Sequence, residues 1–253
     1  QKITKLTKEQ IIKICDRNFI GCDQLIIIET DKLADAYLKF FNSDGGESGA
    51  CGNGTRCVAD LISKEIKSKN IVLRTLSGIL KSEILGNNIV TTEIGVAKTD
   101  WNKIPLSEKL NTKNLNIKIN DKNDKEYLGG TAVNVGNPHI IFFVNEINNF
   151  DIKKLGPNIE NNKYFPEKCN VTIAQVINKD LIKVKVWERG AGLTKACGTA
   201  ACATAFAAKL NNLCNDKTDI EFENGKLSIS IDEKNSIHMK GPVSNIEKIE
   251  INL

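Results

Sequence analysis

Two cysteines in this chain sit in matching settings: Cys51 in Gly49-Ala50-Cys51-Gly52-Asn53-Gly54 and Cys197 in Lys195-Ala196-Cys197-Gly198-Thr199-Ala200. Each is followed by a glycine and then by a run with helical spacing, so each should stand at the start of a helix. A helix N-terminus exposes unpaired backbone N–H groups and carries partial positive charge, which stabilises a thiolate and also binds a carboxylate. A free thiol has a pKa of about 8.5, and such a position draws it toward neutrality, where thiol and thiolate coexist. Two such sulfurs on opposite faces of one carbon could remove a proton from one side and return one to the other, inverting the centre. The charge that builds up would fall on an adjacent carboxylate, toward which the amides of Gly52, Asn53, Gly198 and Thr199 would point.

These turns need rigid elements behind them. From Gly52 onward, Cys57, Val58, Leu61, Ile62 and Ile66 recur at helical spacing. The run from Ala200 to Ala208 is apolar or small on every face, so its helix should be enclosed by protein. Before the first turn come a helix over 8–15 and strands over 24–29 and 36–42; after it come strands near 71–75, 79–85 and 89–94. The second turn follows strands over 131–135, 140–144, 171–176 and 182–187, and precedes strands over 220–223, 227–231 and 237–239. The two cysteines are 146 residues apart, about one domain length. The reading is an internal duplication in an α/β (α+β) chain, each half wrapping mostly antiparallel strands around one buried helix. The halves should divide near 97–120, where Pro105 and an Asn/Lys-rich stretch interrupt the pattern; residues 1–97 and 98–242 are the expected domains, the first completed by a strand from 243–253.

Composition narrows the function classes. The chain has 253 residues, 41% hydrophobic and 26% charged, as in ordinary globular proteins. A net charge of +4 spread over lysine-rich loops argues against a nucleic-acid partner. No apolar run is long enough for a membrane span, and the profile fits the cytoplasm. Of eight cysteines, Cys15, Cys22, Cys57, Cys169, Cys202 and Cys214 read as reduced, packing side chains. The separations of Cys51 from Cys57 and of Cys197 from Cys202 lack the close spacing of structural zinc, so no metal is expected.

The stretches Asn42-Ser43-Asp44-Gly45-Gly46-Glu47, Cys51-Gly52-Asn53-Gly54-Thr55-Arg56 and Glu188-Arg189-Gly190-Ala191-Gly192, the last shortly before Ala196-Cys197-Gly198-Thr199, resemble the signatures of the diaminopimelate epimerases. The likeness runs from about Lys5 to Gly241-Pro242. It implies that family's fold of two pseudo-symmetric curved sheets around central helices. It also implies a cofactor-independent epimerase, interconverting LL- and meso-diaminopimelate with one cysteine as base and the other as acid, and a homodimer. Residue by residue, the resemblance places Gln24 at the substrate and Asn42, Asn137, Asn170 and Arg189 on its remote amino acid end. His139 and Glu188 are implied to tune the protonation of the cysteines, Glu188 also touching substrate, whereas His238 is read as structural. Neutral amides and a planar guanidinium suit that remote end, since a guanidinium pairs a carboxylate bidentately.

The sequence departs from the family pattern in places. A segment containing Gly-Asn-Asp-Phe has no counterpart, and the chain begins at Gln1, so the translation start is expected upstream. The loop Arg17–Gly21 is one residue short, and Gly46 stands where serine is usual. Three alternatives stay open on the residues. A proline or hydroxyproline racemase-like enzyme would carry histidine where Asn53 stands. A thiol redox protein would normally carry a C-x-x-C motif, absent here. A non-catalytic binding module on the same scaffold is the third.

Overall fold

A computed structural model describes residues 6–49 and 51–251. The chain forms two compact units, one running up to Thr92 and resumed from Pro242 onward, the other Glu93–Gly241.

The first unit begins with α1 (Lys8–Cys15). Thr7 caps it by accepting from the Gln10 amide, and the Gln10 side chain returns the bond to the Thr7 N–H, a reciprocal capping box. Strands β1 (Gln24–Glu29), β2 (Ala36–Asn42) and the short β3 (Glu47–Ser48) precede α2 (Gly52–Ile66). Then come β4 (Asn70–Thr75), β5 (Gly78–Gly86) and β6 (Ile89–Val96), the last passing into the second unit. Both Asn87 and Asn88, between β5 and β6, have positive φ, the conformation a two-residue hairpin turn requires. Strand order is β1-β2-β4-β5-β6, with β1 antiparallel and β4 parallel to β2. Alternation along β2 buries Ala36, Leu38 and Phe40 on one face, against Val58, Ala59 and Ile62 from one stripe of α2.

The second unit contains β7 (Ile117–Asn120), β8 (Glu126–Gly129), β9 (Thr131–Asn134) and β10 (Pro138–Val144). After α3 (Ile152–Glu160) follow β11 (Asn170–Asn178), β12 (Leu181–Glu188), β13 (Gly192–Thr194) and α4 (Gly198–Leu210). It closes with β14 (Lys217–Phe222), β15 (Gly225–Ile231) and β16 (Ser236–Pro242). The order is β16-β15-β14-β12-β11-β10-β9, β13 adding to β12, with β7 and β8 as a separate hairpin.

One face of this sheet packs on α4, where Ile141, Ala174, Val184 and Val186 meet a helix buried almost all round. The opposite face, through Ile140, Phe142, Val171 and Ile173, covers a second core with Ile152 and Ile159 of α3. Strands β10 and β11 are thus covered on both faces, and β10 accordingly carries five apolar residues in succession, Ile140, Ile141, Phe142, Phe143 and Val144. This second layer, including α3 and the β7–β8 hairpin, is absent from the sequence reading. Gly156 and Pro157 sit inside α3 and mask its helical pattern, although Asp151 caps it by accepting from the Lys153 amide.

Candidate functional site

Both cysteines occupy the N-cap of their helices, with nearly identical extended backbones: φ −145°, ψ 104° at Cys51 and φ −142°, ψ 114° at Cys197. The two candidate acid–base residues therefore share one backbone conformation. Their surroundings are opposite in sense. The Cys51 sulfur accepts from the Gly54 N–H at 3.3 Å, as a capping group does. A Cβ at Gly54 would lie 2.4 Å from the end of the Ile26 side chain of β1 and 3.1 Å from that sulfur, so any larger residue would push Ile26 aside and crowd the thiol.

The Cys197 thiol instead donates to Glu188 Oε2 at 3.1 Å, with the Thr199 hydroxyl 3.4 Å away. Burial, and next the Glu188 charge, push its pKa well above that of an ordinary thiol, while Thr199 and the Ala200 amide oppose them. Cys197 rests as a thiol.

In the first unit Gln24 and Asn42 are partners in the β1–β2 register, and Gln24 Nε2 donates to Asn42 Oδ1 at 2.9 Å. Asn53, in the first turn of α2, accepts from Arg56 Nη2 at 2.9 Å, and Arg56 Nη1 reaches the Gly52 carbonyl at 3.4 Å. Arg56, only 4% exposed, carries no role in the sequence reading. Its signal was available: a cation three residues after Asn53 shares a helix face with it.

In the second unit, β10 and β11 run parallel with His139 opposite Asn170. His139 Nε2 and Asn137 Oδ1 are 2.8 Å apart, so with the amide oxygen accepting the ring is the Nε2–H tautomer. The ring is fully buried and Nδ1 has no hydrogen-bond partner. Burial, and secondarily the Arg189 charge, hold its pKa down to about 3, so the imidazole is neutral near pH 7.

Asn170 is 3% exposed and ties two segments together, its Nδ2 donating to the Pro138 carbonyl and its Oδ1 accepting from the Arg189 amide, both at 3.0 Å. Arg189 itself lies on the surface, with Nη1 donating to the Glu167 carbonyl at 2.9 Å. Gly198 and Thr199 are buried in the first turn of α4. The structure thus gathers Gln24, Asn42, Cys51, Gly52 and Asn53 on the β1, β2 and α2 elements of one unit. Asn137, His139, Asn170, Glu188, Arg189, Cys197, Gly198 and Thr199 lie on β10, β11, β12 and α4 and the turns beside them in the other. Of the cysteines read as packing residues, Cys15, Cys169, Cys202 and Cys214 are buried, and Cys22 and Cys57 are half-buried.

The family model described as diaminopimelate epimerase matches residues 1–99 and 131–246. The chain is 68% identical over 248 residues to the diaminopimelate epimerase of Pelagibacter ubique (strain HTCC1062), covering 98% of this chain and 90% of that one. It is 38% identical to the diaminopimelate epimerase of Acidiphilium cryptum (strain JF-5), over 94% of this chain and 85% of the relative. Among solved structures, a hydroxyproline epimerase from Agrobacterium vitis superposes with TM-score 0.62 at 12% identity, covering 92% of this chain and 76% of that one. A phenazine biosynthesis protein of the PhzF family from Bacillus anthracis superposes with TM-score 0.63 at 14% identity, over 97% and 90%. At these identities the two structures share the fold alone.

Proposed function

The chain belongs to the diaminopimelate epimerase family, and we propose that it interconverts LL- and meso-diaminopimelate with Cys51 and Cys197 as the two proton carriers. The observation that carries this reading is the contrast between two equivalent helix caps. At one, a sulfur accepts a backbone N–H; at the other, a buried thiol donates to a carboxylate. A sulfur that accepts at a helix N-terminus is placed to be a thiolate base, and a thiol held beside Glu188 is placed to be an acid.

In the direction that starts from this state, Cys51 takes the α-proton and its thiolate becomes a thiol. The electron pair left on carbon delocalises into the neighbouring carboxylate, which the first-turn amides of α2 and α4 stabilise without reorganising. Cys197 then delivers its proton to the opposite face and becomes the thiolate, and the reverse reaction exchanges these roles. Neutral His139, buried beside Asn137, adds no positive charge near neutral pH. Asn42, Asn137, Asn170 and Arg189 hold the remote amino acid end, with Gln24 beside Asn42, so that a single stereocentre reacts. A homodimer in the cytoplasm belongs to the same reading, supported by the family likeness; among the described residues no helix is long and apolar enough to cross a membrane.

Incubation with LL-diaminopimelate, followed by chiral separation of the products, tests the assignment. The meso form should accumulate to equilibrium and L-proline should be left unchanged. Inversion of proline with no change in diaminopimelate would contradict it.

A further inference from the structure

Glu160 is the last residue of α3, and its position is unfavourable on two counts. A carboxylate at a helix C-terminus opposes the helix dipole, and this one is only 6% exposed. Buried carboxylates persist where their oxygens are satisfied. Here Oε2 accepts from the Trp187 indole N–H at 2.7 Å and Oε1 from the Gly190 backbone N–H at 3.1 Å, with Lys168 Nζ 3.9 Å from Oε1.

Those two donors bracket Glu188 and Arg189. The segment 189–191 is the tip of the β12–β13 hairpin, in which Glu188 pairs with Gly192 and the Ala191 N–H returns to the Glu188 carbonyl. Gly190 has a positive φ of 76°, so the tip is a tight turn. The Trp187 side chain packs against α3 at Gly156, where a Cβ would come within 2.4 Å of the ring. Asn170 Oδ1 accepts from the Arg189 backbone N–H at 3.0 Å. Trp187, Arg189 and Gly190 are therefore each fixed by a named bond, leaving the Glu188 side chain aimed at Cys197.

We infer that Glu160 is a positioning residue: its carboxylate clamps the 187–190 turn so that Glu188 is held against the Cys197 thiol and Arg189 at the remote end of the substrate. The inference rests on the roles proposed above for Glu188 and Arg189. Loosening the clamp by about 1 Å would disturb proton transfer and substrate binding together, and misplacement on that scale costs on the order of 100-fold.

The test is Glu160→Gln in the full chain. This near-isosteric change offers one acceptor and one donor to two donors, so one of the two bonds is lost. The expected result is a lower kcat together with a higher KM for LL-diaminopimelate, lowering kcat/KM by about 10- to 100-fold. In a 1H–15N spectrum either the Trp187 indole or the Gly190 amide resonance should move. The chain has two tryptophans, so Trp101→Phe assigns the indole signals. A purely structural role would lower thermal stability while kcat and KM per folded molecule stayed at parental values.

Both constants within twofold of the parent, with one of those resonances moved, would overturn the inference. Should Glu160→Gln fail to fold, Trp187→Phe removes one partner without touching the carboxylate. It should lower kcat/KM by about 3- to 10-fold, and parental constants would overturn the inference. A parent chain inactive on LL-diaminopimelate would overturn the functional reading along with this one. An active parent with an unaffected Glu160→Gln variant would overturn this one alone.

Discussion

Acid pH should destabilise the second unit specifically through His139. The side chain is fully buried, and its pKa is held down to about 3 by burial first and the Arg189 charge second. In the unfolded chain a histidine titrates at about 6.5. The folded pKa of this base is depressed, so below 6.5 the unfolded state binds a proton that the folded state refuses. Stability contributed by the neutral ring is therefore complete above pH 6.5 and erodes as pH falls toward 3. At pH 4.5, two pH units below the unfolded pKa, the expected loss is about 2.7 kcal/mol, at about 1.36 kcal/mol per unit.

The assay compares urea unfolding at pH 7 and pH 4.5 for the parent and for His139→Gln. Carboxylates that also titrate in this range are common to both chains, so the difference of differences isolates the histidine. With two histidines in the chain, His238→Gln assigns the ring proton signals, and the His139 signal should not shift between pH 8 and 4.5. A double difference below about 0.5 kcal/mol, or a His139 ring that titrates near 6.5, would refute the reasoning.

Two further changes probe the packing around the candidate site. Asn170→Leu removes a donor from the Pro138 carbonyl and an acceptor from the Arg189 amide in a buried position. It should cost about 2–4 kcal/mol in denaturant unfolding and raise KM for diaminopimelate; a loss under about 1 kcal/mol would mean that these bonds are replaced by water. Gly156→Ala places a methyl 2.4–2.8 Å from the Trp187 ring and its Cβ, neither of which can move without shifting β12. A destabilisation of about 1–3 kcal/mol should outweigh the gain in helix propensity, and calorimetry showing equal or higher stability would contradict the packing.

The legible parts of this protein were those in which one physical rule dominates over short range. Helices α2 and α4 were visible because glycine turns precede them and their apolar spacing is regular. The β2 strand was visible because Ala36, Leu38 and Phe40 alternate with more polar or less buried neighbours. The contact of Arg56 with Asn53 was within reach of the same reasoning, since residues three apart share a helix face. Helix α3 was hidden because Gly156 and Pro157 suppress the pattern, while tertiary packing of Ile152 and Ile159 supports it. The β7–β8 hairpin lies in a polar stretch where Ile117 and Ile119 alternate with charged and amide side chains, too brief a run to stand out.

For the candidate site, the motifs located the residues but not the connections among them. That Glu188 faces Cys197 was open to a guess from their nine-residue separation. The bond from Gly190 to Glu160 spans 30 residues and joins a turn to a helix whose existence the sequence concealed. The contrast between the two sulfurs was hidden as well, because both turns read alike and only packing buries Cys197 more deeply.

The central claim, that Cys51 and Cys197 each carry one proton across the reaction, is tested most directly by isotope transfer from solvent. LL-diaminopimelate is converted in D2O and the meso product analysed by mass spectrometry and NMR, for the parent, Cys51→Ala and Cys197→Ala. The parent chain should leave one deuterium at the inverted α-carbon, and neither variant should yield the meso product. A product that keeps the substrate's own hydrogen, or a variant that epimerises at the parental rate, would contradict it.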